Sequence, residues 1–100
     1  DVYPRFSELA LANRVNLAKV QTFNLDEYVG LAPEHAQSYH TYMHQLLFDH
    51  NASWNADNIH IPQGHVDDLE REARRYENQL KQIGQPDIQL LGIGENGHIG

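Results

Sequence analysis

The sequence predicts an α/β fold in which helices alternate with the strands of a mostly parallel sheet. Apolar residues recur at helical spacing in three segments, and short apolar runs typical of buried strands lie between and after these segments. No two-residue hairpin signal of the Asn-Gly or Asp-Gly kind connects one predicted strand to the next. We therefore expect crossover connections between the strands, which give parallel pairing.

The first predicted elements are a helix and a strand. The end of an amphipathic helix, begun upstream of the chain, is indicated over 4–13 by the spacing of Phe6, Leu9, Ala10 and Asn13. A buried strand that ends near Asp26 is indicated by a run of mixed β-branched and aromatic character containing Val20, Thr22, Phe23 and Leu25. A loop with Gly and Pro follows over 29–37.

The chain from Ser38 onward predicts two more helices and two strands. Ser38 can cap a helix whose apolar stripe contains Tyr39, Tyr42, Met43, Leu46 and Leu47. A short strand is possible over 59–61. The clearest helix has apolar residues at alternating steps of three and four from Val66 to Ile83, with Asp67 and Asp68 at its positive N-terminal end, and it stops at Gly84. The apolar run after Pro86 predicts a strand buried on both faces.

Composition bounds the class of protein. With 40% hydrophobic and 21% charged residues, the chain has the composition of an ordinary soluble globular protein, and no run approaches the ~20 apolar residues of a membrane span. A net charge of -7 argues against nucleic acid as a partner. The absence of cysteine excludes disulfides and a cysteine nucleophile and fits a reducing compartment, so we expect a cytoplasmic location. The start without Met and the stop inside a glycine-rich turn suggest an excerpt of a longer polypeptide.

The chain closes on a glycine-rich turn that has two interpretations. Gly92, Gly94 and Gly97 spell G-x-G-x-x-G, a pattern of dinucleotide-binding turns. That fingerprint normally follows the first strand of its unit, whereas here a strand and two helices precede it, so dinucleotide binding is the minor alternative. The other interpretation is that the glycines allow positive φ angles and close backbone approach, and direct Asn96 and His98 into a crevice.

Two predicted strand ends carry groups that can move protons. Asp26 can act as a carboxylate base, and His98 can give or take a proton near neutral pH. Parallel topology would bring both to the carboxyl edge of the sheet, together with Asn96. Structural roles compete with this interpretation: Asp26 can cap a turn, His98 can be an exposed loop residue, and Glu27 is expected to pair with an arginine of a neighbouring helix.

Other polar residues carry weaker signals. Tyr28 and Tyr39 are expected to pack with their hydroxyl groups near the crevice. His40 and His44 lie four residues apart on one helix and could share a metal ion, but no glutamate stands between them in the H-E-x-x-H pattern. A structural or solvent role is expected instead, and no metal site is predicted. The remaining histidines, in loops or turns, are His35, His50, His60 and His65.

Four motifs in order, TFNLDEYVGL, SYHTYM, NIHIPQG and LLGIGENGHIG, resemble the glucosamine-6-phosphate deaminase (isomerase) family from about Lys19 to Gly100. The resemblance implies a doubly wound, Rossmann-like α/β fold, of which residues 1–100 would form part of a single domain truncated at both ends. It also implies the conversion of glucosamine 6-phosphate and water to fructose 6-phosphate and ammonia without an organic cofactor. The implied partner is thus a small sugar phosphate, and the sequence leaves homo-oligomer formation open.

The same resemblance implies roles for individual residues. Asp26 matches the carboxylate that moves a proton from C2, and His98 matches the histidine that opens the pyranose ring, accompanied by Asn96. Many members have Asp where this chain has Asn96, and a neutral amide can orient His98 but cannot stabilise an imidazolium by charge. Residues expected near the substrate with less support are Glu27, Tyr39, Gly92 and Gly94.

Two alternatives stay open at this point. The related 6-phosphogluconolactonases share the glycine turn and its histidine, but they typically have D-E-R where this chain has Asp26, Glu27 and Tyr28, and a different sequence after the histidine. The other alternative is a catalytically silent sugar-phosphate sensor on the same fold, and the presence of Asp26 and His98 argues against it.

Overall fold

The computed structural model describes residues 2–97 and 99, in which three helices and two strands follow one another as α1, β1, α2, β2 and α3. The helices are α1 at Val2–Ala12, α2 at Tyr39–Leu46 and α3 at Leu69–Ile83. The strands are β1 at Thr22–Phe23 and β2 at Ile59–His60, and single 3₁₀ turns span Phe48–His50 and Ala56–Asn58.

The sheet of the described residues is a parallel pair. Thr22 is opposite Ile59 and Phe23 is opposite His60, and the N–H of Asn24 continues the ladder by donating to the His60 carbonyl at 3.0 Å. The connection between the strands contains α2, as a crossover between parallel strands requires. The predicted α/β fold with parallel pairing is therefore confirmed.

The core lies where α2 runs into the following 3₁₀ turn. Met43, Leu47 and Phe48 are buried. The partly buried residues packed against this cluster come from α1, the segment before β2, and β2 with its extension: Tyr3, Trp54, Ile59 and Ile61. This cluster fixes α2 against the amino-terminal helix and the sheet.

Side chains cap the N-terminal ends of both α2 and α3, and the sequence predicted the Ser38 cap of α2. The Ser38 hydroxyl accepts the N–H of Thr41 at the start of α2, and an Asp68 carboxylate oxygen accepts the N–H of Arg71 at the start of α3. Gly84 ends α3 with a φ of 108°, a left-handed backbone that a residue with a side chain adopts only under strain. Val66 lies before α3 rather than in it.

The predicted strands are shorter or absent. Val20 and Leu25 are exposed and lie outside the two-residue β1. The apolar run after Pro86 forms no strand up to Gly92, and Ile88 has 87% of its surface exposed. Ile93 instead makes an isolated antiparallel bridge with Ile99. A parallel strand requires a neighbouring edge for its backbone hydrogen bonds, and residues 86–92 find none among the described residues, so their apolar sequence alone does not produce a strand.

Candidate active site

Asp26 lies three residues beyond β1, at the carboxyl end of the parallel pair. It is exposed, and its carboxylate makes no hydrogen bond to another described residue. The chain on both sides of it is fixed. The Tyr76 hydroxyl of α3 lies 2.7 Å from the carbonyl oxygen of Asn24 and 2.8 Å from that of His60, so it bridges the ends of β1 and β2.

Glu27 contacts the start of α2 rather than an arginine. One carboxylate oxygen accepts the N–H groups of Tyr28 and Tyr39, both at 2.8 Å, and the other accepts the N–H of His40 at 2.9 Å. The expected Glu27–arginine pair is therefore wrong. The first-turn N–H groups of a helix lack partners within the helix, and the fold places those of α2, rather than an arginine, within reach of the Glu27 carboxylate.

Tyr28 and Tyr39 form an aromatic pair beside Asp26. Their rings stack with centroids 4.9 Å apart and an interplanar angle of 25°. A hydrogen bond with the Tyr28 hydroxyl, together with burial and the charges of Asp26 and Glu27, raises the pKa of Tyr39 to about 12. The Tyr39 phenol is thus protonated at neutral pH and acts as a hydrogen-bonding group, in agreement with the expected packing role.

The loop after Tyr28 is held by a close approach of two backbones. The N–H of Gly30 donates to the Gly64 carbonyl at 2.8 Å. A Cβ atom at Gly64 would lie 1.9 Å from the Tyr28 carbonyl oxygen, so only glycine fits at this position. The IPQG motif after β2 therefore positions the DEY motif after β1.

A cavity of ≈ 550 Å³ lies at the carboxyl ends of the two strands. Its polar lining consists of Glu27, His40, His44, Gln63 and His65. The apolar lining comes mainly from the loop before α2 and from the segment around β2: Leu31, Pro33, Ala56, Ile59, Ile61 and Pro62. Of the predicted site residues that the structure describes, Glu27 lines this cavity, and Asp26, Tyr39, Gly92, Gly94 and Asn96 do not.

The two histidines of α2 face each other in that cavity. Their ring centroids are 4.5 Å apart, and Nδ1 of His44 lies 3.2 Å from an Asp49 carboxylate oxygen. Burial lowers the pKa of His40, and the neighbouring His44 lowers it further. No group of three or more side chains suited to hold a metal ion occurs within residues 2–97 and 99, so the pair has no third donor there.

The glycine turn at the end of the chain has the predicted positive φ at Gly97, but the close backbone approach predicted for its glycines is not seen at Gly92 or Gly97. The N–H of Gly97 donates to the Gly94 carbonyl at 2.9 Å, and Gly97 has a φ of 83°. Asn96 lies in this turn and is exposed. A Cβ at Gly92 would meet no atom of the described chain within 4 Å. His98 lies outside the described residues.

Three residues that hold the site carried little signal in the sequence. Tyr76 reads as one apolar member of the α3 stripe, and His60 reads as a loop histidine, although it is buried and stacks on Phe23 with ring centroids 4.3 Å apart. Glu72 reads as a solvated charge, whereas it is buried, accepts the N–H of Gln63 at 2.7 Å and pairs with Arg75. The sequence feature that could have indicated the close approach of Gly64 to the Tyr28 backbone is the glycine that directly follows Pro62 and Gln63.

Parallel strands alternating with helices, with a charged residue and a cavity at their carboxyl ends, define an α/β protein of the kind that binds small molecules at strand ends. Residues 2–100 match one family, and the chain belongs to it: the glucosamine-6-phosphate isomerases/6-phosphogluconolactonase family.

Individual relatives agree with this assignment. The chain is 94% identical over 100 residues to a glucosamine-6-phosphate deaminase of Staphylococcus haemolyticus and 54% identical over 100 residues to one of Staphylococcus aureus strain JH9. It covers 41% and 40% of their lengths. A solved structure of a monomeric glucosamine-6-phosphate deaminase superposes with a TM-score of 0.90 at 43% identity over 97% of this chain and 40% of that one. The chain thus spans about two fifths of the length of these relatives.

Proposed function

We propose that the protein carrying this chain is a glucosamine-6-phosphate deaminase. It would isomerise glucosamine 6-phosphate from aldose to ketose and release the C2 nitrogen as ammonia with one water consumed, giving fructose 6-phosphate. The observation that carries the proposal is the 94% identity to a glucosamine-6-phosphate deaminase along all 100 residues. Because the chain spans about two fifths of such relatives, experiments use the protein at their length, called the full-length protein below.

The position of Asp26 supports its role as the base. A carboxylate that is exposed at the carboxyl end of a strand and makes no hydrogen bond within the described chain can reach a bound molecule. In the proposed reaction it takes the proton from C2 of the open-chain sugar and returns a proton at C1. This transfer moves the double bond from C1 to C2 and leaves an imine at C2. Addition of water there and loss of ammonia complete the deamination.

The glycine turn would serve ring opening. We propose that His98 moves the proton between the ring oxygen and the C1 hydroxyl, and that the Asn96 amide orients its imidazole. The turn between Gly94 and Gly97 supports this proposal because it holds Asn96 in an exposed position. Gly92 and Gly94, without side chains, would leave room for the sugar, and Tyr39 would contribute a hydroxyl group beside Asp26.

The wider predictions stay part of this proposal. Residues 1–100 would belong to one sugar-phosphate isomerase/deaminase domain that needs no organic cofactor and acts in the cytoplasm. No helix among the described residues is long and apolar enough to cross a membrane. The superposed relative is a monomeric enzyme, and homo-oligomer formation by the present protein is decided by light scattering on the full-length protein.

Ammonia release from glucosamine 6-phosphate by the full-length protein tests the proposal. Asp26→Asn removes the base, so we expect turnover to fall by about 10²-fold or more with the melting temperature unchanged. A lactonase would release no ammonia and would hydrolyse 6-phosphogluconolactone, and a sensor would bind the sugar phosphate without turnover. Full activity of the Asp26→Asn variant would contradict the role of Asp26 even if the parent protein releases ammonia.

A further inference from the structure

The contacts of Glu27 suggest a role beyond capping a helix. Glu27 directly follows Asp26, and its carboxylate binds backbone groups that lie 12 and 13 residues further along the chain. The two N–H groups, those of Tyr39 and His40, begin α2. Ser38 accepts the next one, from Thr41, at 3.1 Å. Glu27 and Ser38 together therefore satisfy the N–H groups that the first turn of α2 cannot satisfy internally.

The helix held by Glu27 belongs to the buried core of the described residues. α2 contributes Met43 to the buried cluster and continues directly into Leu47 and Phe48, each of which is at most 6% exposed. A bond to the start of this helix is therefore a bond to the core. A carboxylate at a helix N-terminus is also favoured by the helix dipole and by charge-assisted hydrogen bonds.

Asp26 lies between two such fixed points. On its amino-terminal side the Asn24 carbonyl is bound by the Tyr76 hydroxyl, and on its carboxyl-terminal side the next residue is bound to α2. Residues 25–28 have no helix or strand hydrogen-bonding pattern of their own to set the direction of the Asp26 side chain. The Glu27 carboxylate and the stacked rings of Tyr28 and Tyr39 connect this short segment to α2, and Glu27 is the nearer of the two contacts to Asp26 along the chain.

We propose that Glu27 is a positioning residue for the Asp26 carboxylate, which it holds at the carboxyl end of β1 by anchoring the adjacent backbone to the N-terminus of α2. This inference rests on the proposed role of Asp26 in proton transfer from C2. A displacement of about 1 Å in a catalytic group can lower a rate by about 10²-fold. Loss of the anchor should therefore affect the proton-transfer step more than substrate binding.

The test is Glu27→Gln in the full-length protein, because Gln keeps the size but loses the charge and one acceptor oxygen. We expect kcat to fall about 10- to 100-fold, with KM within about threefold of the parent because both carboxylate oxygens of Glu27 are bound to backbone N–H groups. With substrate deuterated at C2, the isotope effect on kcat should be larger in the variant than in the parent. A loss of folded molecules would lower kcat without changing the isotope effect.

Ser38→Ala is the matched control. It removes the other side-chain cap of α2 without touching the Asp26 segment, so we expect a comparable drop in melting temperature with kcat within about threefold of the parent. Equal loss of kcat in both variants, or an unchanged isotope effect in Glu27→Gln, would overturn the positioning role. Amide hydrogen exchange at Tyr39 and His40 should be faster in Glu27→Gln whatever the protein catalyses. If the parent releases no ammonia, the proposed function fails independently of this readout.

Discussion

Single side chains tie the two strand ends of this protein together. The Tyr76 hydroxyl is the clearest case, since it lies within hydrogen-bonding distance of the carbonyl oxygens of both Asn24 and His60. Burial raises the pKa of Tyr76 well above its ordinary value, so the hydroxyl stays a donor throughout the neutral range. Tyr76 therefore holds the backbone next to the candidate site but is not one of the site residues.

Tyr76→Phe tests this tie. The ring and its edge contact with Phe23 remain, but the Asn24 carbonyl loses its side-chain donor, so we expect the free energy of unfolding to fall by about 1 to 3 kcal/mol. Urea unfolding of the full-length protein measures the change. Tyr42→Phe is the control, because Tyr42 is an exposed tyrosine with no hydroxyl hydrogen bond to a described residue. Equal stability of the two variants would contradict the bridging role.

At the scale of elements, the helices are defined by their own ends. α3 begins after Asp68, whose side chain accepts the N–H of Arg71 at 3.0 Å, and it stops at Gly84. Its interior carries the Glu77–Lys81 ion pair at 3.2 Å. Both partners are largely exposed, so that pair contributes little and the caps set the bounds of the helix.

Asp68→Ala should therefore destabilise the full-length protein by about 1 kcal/mol, because the first turn of α3 loses its side-chain acceptor. The neighbouring Asp67→Ala removes the same charge one residue earlier and leaves the cap intact, so it is the matched control. Thermal unfolding distinguishes the two. A drop in melting temperature of the same size for both variants would show that charge near the helix end, not the cap, is responsible.

For the whole molecule, the pH dependence of stability follows from groups that are buried in the fold. Burial lowers the pKa of His60 below 6.5, and the charge of Arg75 lowers it further. Between pH 6.5 and the lower pKa of the folded protein, His60 is protonated in the unfolded chain but stays neutral in the folded protein. The stability that neutral His60 contributes is therefore fully present above pH 6.5, and it decreases as the pH falls from 6.5 to the pKa of the folded protein.

We expect the free energy of unfolding of the full-length protein to be smaller at pH 5.5 than at pH 7.5. His60→Gln should reduce that difference because it removes the titrating group. Glu72 acts at lower pH: its hydrogen bond with Arg75 lowers its pKa below 4.5, so its contribution is lost only as the pH falls below that value. An identical pH dependence in the parent and His60→Gln would contradict the assignment.

The candidate site was predictable where its signals are local in sequence. Asp26 follows an apolar run, which predicts its place at a strand end. The turn around Asn96 contains three glycines, which predict a tight turn. The partner of Glu27 could not be predicted, because a carboxylate accepts hydrogen bonds from an arginine or from backbone N–H groups. Which of these lies near depends on where the fold places the start of α2.

The sequence by itself determined the helices, the Ser38 cap, the stop at Gly84 and the parallel class of the fold, because capping and apolar spacing act within a few residues of each other. Only the tertiary structure decided which apolar runs became strands and which polar groups met. β1 and β2 exist because each supplies the other's hydrogen bonds, whereas the equally apolar run after Pro86 meets no such edge among the described residues. Tyr76 and Glu27 also depend on the tertiary structure, because their hydrogen-bonding partners are distant along the chain and become neighbours only after folding.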